Sequence, residues 1–431
     1  MPGVVPGISR PRNQLGRHGF DMVPGMWWGW VLVAVVALVY MALSRNLDRS
    51  YVTAPMVFVA LGVLVSDSGL GLIVFEIDGE LAKALFKATL ALLLFNEAAT
   101  INLSDLRSDK GLVARLLGIA MPLVIAAGTA VALVLFDILS FWEAAIVGAI
   151  LAPTDAALGA GVVSNDRVQP KIRRGLIIES GLNDGVALPL ALVFTAAALA
   201  QLGIDTEGDP LTFLLEQVGL GAIAGIVLGA AAGWIIRTAV KDKSAGHDWV
   251  KLSTLATALL AYAGAEAVHG NGFIAAWVAG LVFGHMVHTT APHFDEFGER
   301  LSKLLTVLSF FVFGAIMLGP ALSQITWQMV VFGLLSLAVL RPLSVALGMI
   351  GAKLHWQTVA FLGWFGPRGL ASIIIAAIVI KEAGLPGDDI IVTITTVTVA
   401  LSVYLHGISA VPGSDRYADW HERQPSSDIS T

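Results

Sequence analysis

The stretch GAILAPTDAALGAG at residues 148–161 places Asp155 inside an apolar run that is long enough to cross a bilayer. Pro153 removes a backbone donor and the nearby glycines loosen the helix, so backbone carbonyls around Thr154 should be released from helical hydrogen bonds. Such groups are tolerated at membrane depth only where protein covers them or where they line a cavity. With the Thr154 hydroxyl and the Asp155 carboxylate, they predict a cage of hard oxygen ligands for a small cation. The alternative is a proline kink beside an aspartate with ordinary hydrogen-bond partners.

The following apolar span carries IIESGLNDGVALPL at residues 177–190. On a helix, Glu179 lies four residues before Asn183, and Ser180 lies four before Asp184, so the four side chains share one face. Burial favours the neutral form of Asp184, so protons and cations should compete for it, whereas the amide of Asn183 does not titrate. We therefore expect one exchangeable charge facing the interrupted span. The alternative is a polar seam that only joins helices.

A second interrupted span reads LGWFGPRGLASIII at residues 362–375, with Arg368 among three glycines and a proline. It comes seven spans after the first, so the two cross the membrane in opposite directions. Paired broken segments of opposite orientation indicate an inverted repeat with a site near the bilayer midplane. Arg368 stays charged and can neutralise Glu179 or bond to Asn183. A structural ion pair and a role in transport both remain open for it.

The composition excludes a soluble enzyme and a nucleic-acid-binding domain. Of 431 residues, 56% are hydrophobic and only 13% are charged, whereas a soluble domain is about a quarter charged. The absence of cysteine excludes disulfides, zinc–thiolate sites and thiol nucleophiles. Ionisable side chains are expensive inside the hydrocarbon, so an excess of acids there must hold protons or cations. Five such side chains are expected within the spans: Glu97, Asp155, Glu179, Asp184 and Arg368.

Hydropathy predicts an all-α polytopic membrane protein with about thirteen spans. The spans lie near residues 26–43, 51–66, 81–100, 111–136, 142–163, 174–201, 211–236, 249–267, 271–287, 301–319, 326–350, 355–380 and 389–411. Most of the 26 Lys and Arg residues fall on alternate connections and in the C-terminal tail. Because cytoplasmic loops attract positive charge, the C-terminus should be inside and the N-terminus outside. Arg341 counts among these loop charges, which leaves Arg368 as the one basic residue expected within a span.

The chain should divide into a short outer tail (residues 1–25), a membrane domain (26–412) and a short cytoplasmic tail (413–431). The first segment lacks the apolar core of a cleavable signal peptide. The last is polar and is expected to be disordered. Short loops and the absence of a targeting sequence fit a plasma (inner) membrane of a bacterium or archaeon.

The third span ends in LLLFNEAATINLSDLR at residues 92–107, which contains a further acid, Glu97. This acid lies near the expected cytoplasmic end, where it could reach the interface as a vestibule residue. The amide of Asn96 beside it could hydrogen-bond to the core.

Three segments, APTDAA (152–157), ESGLNDG (179–185) and GPRGLAS (366–372), resemble in this order the monovalent cation:proton antiporter family of the sodium/proton exchanger type. The resemblance extends over about residues 26–411. The Asn183–Asp184 pair resembles the electroneutral branch, because electrogenic relatives carry a second Asp at the first of these positions.

The resemblance implies a six-helix core with two crossed, unwound helices, a separate dimerisation domain, elevator-like alternating access and a homodimer. In some members a Glu follows the Phe of the third-span motif, whereas here that position is Asn96 and the acid is displaced to Glu97. Regulation through a large cytoplasmic tail, as in animal exchangers, is not expected. The residues implied to coordinate the ion are Thr154, Asp155, Ser180 and Asp184, with Glu179, Asn183 and Arg368 in support.

The resulting hypothesis is one-for-one, electroneutral exchange of Na⁺, or Li⁺, for H⁺. Na⁺ is expected at Asp155 and Asp184, no cofactor is expected, and the partners are the transported ions, membrane lipid and a second copy of the chain. A K⁺/H⁺ exchanger of the same fold is one alternative. Alternatives from other classes are an intramembrane aspartyl-type enzyme that uses the same two acids and a cation channel. No G-x-S-x-G or H-E-x-x-H motif supports an enzyme.

Overall fold

The structure is a computed structural model that describes residues 26–47, 51–72, 80–101, 110–156, 158–204, 210–291, 294–380 and 383–424. Within these ranges all regular secondary structure is helical. The helices are α1 (Met26–Leu47), α2 (Ala54–Val65), α3 (Glu80–Ala99), α4 (Lys110–Leu135), α5 (Phe141–Ile150), α6 (Ala160–Val163), α7 (Pro170–Gln201), α8 (Pro210–Lys241), α9 (His247–Glu266), α10 (Gly272–Val287), α11 (Glu296–Ala321), α12 (Trp327–Gly348), α13 (Trp356–Trp364), α14 (Leu370–Ile374) and α15 (Asp388–Glu422). π-Helical turns lie within α4, α11 and α12, and a further one follows α14 as far as Ile380.

Each predicted span coincides with helical structure, and the two predicted interruptions are present. The fifth predicted span is formed by α5 and α6, and the twelfth by α13 and α14, with unwound backbone between the members of each pair. Among the described residues, α4, α7, α11, α12, α15 and most of α8 are long and apolar enough to cross a membrane. The all-helical membrane fold is therefore confirmed, while the number of crossings stays a prediction.

Two sets of helices pack mainly among themselves. The scaffold helices are α1–α3 and α8–α11, and the core helices are α4–α7 and α12–α15. Within the scaffold, α10 lies directly on α3, because a Cβ atom at Gly280 would be 2.3 Å from the carbonyl oxygen of Phe95 and one at Gly284 would be 2.2 Å from that of Ala99. Small residues allow this close approach of membrane helices. The tight contact fixes the end of α3 that carries Asn96 and Glu97.

The start of α5 is fixed by a capping box. The Ser140 hydroxyl accepts the Glu143 N–H at 3.3 Å, and the Glu143 carboxylate accepts the Ser140 N–H at 2.9 Å. The second Glu143 oxygen accepts the N–H of Gly387 at 2.8 Å, just before α15. The capping box therefore ties α5 to α15, the helix that packs behind both interruptions.

The expectation of a disordered tail after residue 413 is wrong as far as Glu422, because α15 continues to that residue. Its last turns are held by packing and charge that the local sequence does not reveal. Tyr417 is buried and stacks on Phe361 of α13 with ring centroids 4.2 Å apart. Arg167, which precedes α7, pairs with Glu422 at 3.0 Å.

Several sequence expectations fall outside the described residues. They concern the outer tail at residues 1–25, the charges at Arg49, Arg107 and Lys381, and the end of the chain after residue 424. The sidedness of the two termini therefore stays a prediction.

Candidate ion-binding site

The two unwound stretches meet at Asp155. Its backbone N–H donates to the carbonyl of Pro367 at 2.8 Å. Its carboxylate accepts the N–H of Leu370 at 3.1 Å on one oxygen and the N–H of Leu158 at 3.4 Å on the other. Leu370 is the first residue of α14, so the carboxylate lies at the positive end of that half-helix. The interruptions thus join two distant parts of the chain around one acid.

Glycine at two positions makes room for this arrangement. A Cβ atom at Gly369 would lie 1.8 Å from a carboxylate oxygen of Asp155, and one at Gly366 would lie 1.7 Å from Nε of Arg341. The Ser372 hydroxyl on α14 donates to the carbonyl of Ile150, the last residue of α5, at 2.6 Å. A carbonyl released by the helix break therefore finds a partner on the opposite half-helix.

The polar face of α7 points toward the first interruption, as its spacing predicts. The Ser180 hydroxyl donates to the Thr154 carbonyl at 2.8 Å and accepts the N–H of Ala156 at 2.9 Å. The Asn183 amide donates to the Thr154 hydroxyl at 2.8 Å. Asn183 therefore orients a candidate ligand of the ion, and its own side-chain oxygen has no hydrogen-bond partner within the described ranges.

Three carboxylates converge at the centre of the site. Asp184 is 6% exposed, and its Oδ1 has no hydrogen-bond partner among the residues described. The Glu97 carboxyl lies within hydrogen-bonding reach of Asp184 and close to Asp155. The three acids line a cavity of about 20 Å³, which is room for about one water-sized species. Glu97 comes from the scaffold, whereas the other two acids belong to the core.

A wider cavity of about 210 Å³, open to the protein surface, lies beside this one. Leu93, Glu97 and Thr306 line both cavities, so Glu97 stands at the junction between them. The structure thus places Glu97 both at the vestibule and at the carboxylates. Asn96 instead turns toward α11, where its amide donates to the Ser302 hydroxyl at 3.1 Å and to the Gly298 carbonyl at 3.4 Å.

The buried basic groups differ from the sequence expectation. Arg341 does not lie in a loop but within α12, where it is 3% exposed, and it pairs with Glu179 at 2.9 Å. Arg368 is fully buried and donates to the Gly366 carbonyl at 2.6 Å. Its Nε and Nη2 atoms have no hydrogen-bond partner in the described part of the chain. Arg341 therefore forms the ion pair with Glu179, and no hydrogen bond joins Arg368 to Glu179 or Asn183 among the described residues. Glu179 is still close enough to attract Arg368 electrostatically.

Sequence reasoning missed three buried polar residues near the site and a fourth, Glu143, at the start of α5. Glu143 left a signal in the capping-box pattern S-x-x-E, and Arg341 left one as a basic residue in the middle of an apolar run. Ser402 and His406 are buried polar residues four positions apart on α15. Their spacing indicates a shared helix face.

The sequence is similar to a described protein family and to known antiporters. The sequence profile of the family described as "Sodium/hydrogen exchanger, transmembrane" matches residues 31–413. The K⁺/H⁺ antiporter NhaP2 of Shewanella sp. strain MR-4 is 26% identical over 392 residues, which cover 88% of this chain and 65% of that protein. The probable Na⁺/H⁺ antiporter 2 of Methanocaldococcus jannaschii is 28% identical over 249 residues, 54% of this chain and 57% of that protein.

Solved structures show the same fold. The sodium proton antiporter MjNhaP1 of M. jannaschii at pH 8 superposes with a TM-score of 0.74 at 21% identity, covering 91% of this chain and 98% of that one. An electron-microscopy structure of MjNhaP1 gives 0.71 at 24% identity, covering 93% and 98%. The predicted fold class and family resemblance are thereby confirmed. The chain spans about 65% of the length of the K⁺/H⁺ relatives, and it belongs to the transmembrane sodium/hydrogen exchanger family.

Proposed function

We propose that the chain exchanges Na⁺, or Li⁺, for H⁺ across the membrane, one for one, with Asp184 as the shared site. The observation that carries this proposal is the cluster of Glu97, Asp155 and Asp184 around a cavity of about 20 Å³, in which one Asp184 oxygen lacks a hydrogen-bond partner among the described residues. A carboxylate oxygen that is buried and not hydrogen-bonded suits either a proton or a hard cation. No cofactor takes part in the proposal.

The charge balance of the buried cluster supports one-for-one exchange. Glu179 and Arg341 neutralise each other at 2.9 Å. In the count of charges, Arg368 offsets one of the three acids Glu97, Asp155 and Asp184, which leaves two negative charges to be compensated at membrane depth. One proton held between Glu97 and Asp184 supplies the first compensation. The second comes from either Na⁺ or another proton, so exchanging these two leaves the net charge of the site unchanged.

The neighbouring polar atoms complete the proposed coordination. Asp155 and Asp184 bind Na⁺ directly, with oxygen atoms of Thr154 and Ser180 as further ligands. Asn183 holds the Thr154 hydroxyl through its bond of 2.8 Å. Occupancy by either ion lets the site cross the low-dielectric barrier, while the empty anionic site is held back by its desolvation cost.

Alternating access then requires the core to move relative to the scaffold. One contact between them at the site is the indole N–H of Trp277 on α10, which donates to the Gly181 carbonyl on α7 at 2.9 Å. The wider cavity opens between α3 and the start of α11, which the distribution of positive charge assigns to the cytoplasmic side. We therefore assign this conformation as inward-facing. A homodimer in the plasma membrane, formed through the scaffold and with its C-terminus in the cytoplasm, belongs to the same proposal.

K⁺/H⁺ exchange is the second candidate. It is favoured by the similarity to the Shewanella K⁺/H⁺ antiporter NhaP2, which extends over 88% of this chain. The same carboxylates would serve, because K⁺ also takes oxygen ligands, and only the fit of the cavity to the ion would differ.

The proposal is tested with purified protein in liposomes that contain a trapped pH dye and carry an imposed pH difference. Addition of NaCl should collapse the pH difference with wild-type protein and have no effect with Asp184→Asn. A response to KCl but not to NaCl would instead support K⁺/H⁺ exchange. Exchange that persists in Asp184→Asn would overturn the assignment of Asp184, and a lack of response to any cation would overturn antiport.

A further inference from the structure

Two buried side chains on α15 contact both sides of the second interruption. The Ser402 hydroxyl accepts the backbone N–H of Arg368 at 2.7 Å. One turn later, Nε2 of His406 lies 2.9 Å from the carbonyl oxygen of Trp364, the last residue of α13. Ser402 and His406 are at most 1% exposed. They therefore bind the backbone at both ends of the unwound stretch 365–369.

Carbonyl oxygens lie beside both ring nitrogens of His406. Nε2 is 2.9 Å from the Trp364 carbonyl, whereas Nδ1 is 3.0 Å from the Ser402 carbonyl and 3.2 Å from the Ser402 hydroxyl. With the proton on Nδ1, the ring donates only to the Ser402 carbonyl of its own helix. With the proton on Nε2, it donates to Trp364 and Nδ1 accepts from the Ser402 hydroxyl. The tautomer with the proton on Nε2 is therefore the one that joins α15 to the end of α13.

The backbone that Ser402 and His406 contact also binds Asp155. Pro367, whose carbonyl accepts the Asp155 N–H at 2.8 Å, is the residue before Arg368. Leu370, whose N–H donates to the Asp155 carboxylate at 3.1 Å, comes two residues after it. Backbone that lies outside a helix has no intrahelical bonds to fix it, so side chains must supply the restraint. Arg368 is anchored to α15 between the two residues that bind Asp155.

We propose that Ser402 and His406 are positioning residues for the ion site, which hold the stretch 365–369 in the geometry that Asp155 requires. The predicted effect on transport rests on the proposed cation exchange, whereas the predicted effect on the backbone at residues 365–369 does not. Loss of these hydrogen bonds should make the backbone at residues 365–369 more mobile and weaken cation binding at Asp155, while the surrounding helices stay folded.

Four variants separate positioning from a general role in stability. His406→Leu removes both ring nitrogens, and Ser402→Ala removes the acceptor of the Arg368 N–H. His406→Gln returns an N–H donor at about the distance of Nε2. The matched control is Thr395→Val, because Thr395 is equally buried on α15 and its hydroxyl donates to Ile391 of the same helix at 2.8 Å.

The first readout is backbone amide hydrogen exchange measured by mass spectrometry. His406→Leu and Ser402→Ala should exchange faster at residues 365–370, whereas Thr395→Val should match wild type. The second readout is cation-evoked proton flux in liposomes. The two variants should raise the apparent KM for the cation about tenfold, as expected for losing one buried hydrogen bond, and His406→Gln should recover much of this loss.

Unchanged amide exchange and KM in both His406→Leu and Ser402→Ala would overturn the inference, as would equal changes in Thr395→Val. If His406→Leu fails to fold, Ser402→Ala alone decides between these outcomes. A wild-type protein without cation-evoked flux would overturn the proposed function. In that case faster amide exchange in the variants would still support the claim that Ser402 and His406 restrain residues 365–369, and unchanged exchange would overturn that claim.

Discussion

At the scale of single residues, the site combines one neutralised acid with three that share a cavity. Glu179 is matched by Arg341 at 2.9 Å, so its charge is available for structure and not for exchange. Asp184 keeps an oxygen without a hydrogen-bond partner in the described residues. The two acids are five positions apart on one helix, and their different surroundings are the basis for the different roles that we propose for them.

Removal of Arg341 should be strongly destabilising, because it leaves the carboxylate of Glu179 buried without compensation. We expect Arg341→Gln to lower the free energy of unfolding by about 3–5 kcal/mol. The double variant Glu179→Gln/Arg341→Gln should recover much of this loss. Denaturant unfolding followed by tryptophan fluorescence measures both.

The control for this prediction is Lys251→Gln. The pair between Lys251 and Glu296, at 2.6 Å, is partly exposed, so its removal should lower the free energy of unfolding by only about 0–1 kcal/mol. Equal losses for Arg341→Gln and Lys251→Gln would contradict the view that burial makes the Arg341 pair critical.

At the scale of helices, the two interruptions together form one structural unit around Asp155. The first supplies Asp155, and the second supplies the Pro367 carbonyl and the Leu370 N–H that hold it. Each interruption leaves backbone groups without a helical partner, and the other interruption supplies partners for them. One example is the Ile150 carbonyl, which accepts the Ser372 hydroxyl at 2.6 Å.

Substitution of Gly369 should disrupt the contact between the two interruptions at Asp155. In Gly369→Ala the new Cβ would lie 1.8 Å from the Asp155 carboxylate, so either the acid or the stretch 365–369 must move. We expect cation-evoked flux to fall at least about a hundredfold, since small displacements of binding groups have effects of this size. Gly118→Ala is the control, because a Cβ atom at Gly118 meets nothing within 4 Å. Near-normal flux in Gly369→Ala would show that close packing at Asp155 is unnecessary.

The parts of the site that could be predicted from sequence are those with a local pattern. Asp155 was marked by a proline and glycines within an apolar run, and Ser180 and Asp184 by their spacing of four on a helix. The partner of Glu179 could not be found this way, because Arg341 lies 162 positions further along the chain. Counting basic residues by loop also conceals a buried arginine, since that rule assumes that positive charge lies outside the membrane.

At the scale of the whole molecule, the site lies on the boundary between scaffold and core. Glu97 and Trp277 belong to the scaffold and contact α7 of the core. Transport by an elevator-like motion would have to change these contacts in each cycle. The end of α3 is also close to α7, because a Cβ atom at Gly181 would lie 3.1 Å from the side chain of Ile101.

A covalent bond across this boundary should stop transport. The chain has no native cysteine, so Ile101→Cys/Gly181→Cys introduces the only two thiols, at positions whose side chains would face each other, and loss of both free thiols on oxidation confirms the bond. Oxidation should abolish cation-evoked flux and reduction should restore it. Each single variant under the same oxidant is the control. Continued flux in the cross-linked protein would mean that α3 and α7 do not move apart during the cycle.

The most direct test of the central claim is the voltage dependence of exchange. Wild-type protein and Glu97→Gln are reconstituted with a trapped pH dye, and Na⁺-evoked proton flux is measured with the membrane potential clamped by potassium and valinomycin at zero and at a negative value. One-for-one exchange at Asp184 predicts the same flux at both potentials, in both proteins, because Glu97 keeps its proton throughout the cycle. A flux that rises with the potential in wild type would contradict the account, since a second charge would then cross the membrane.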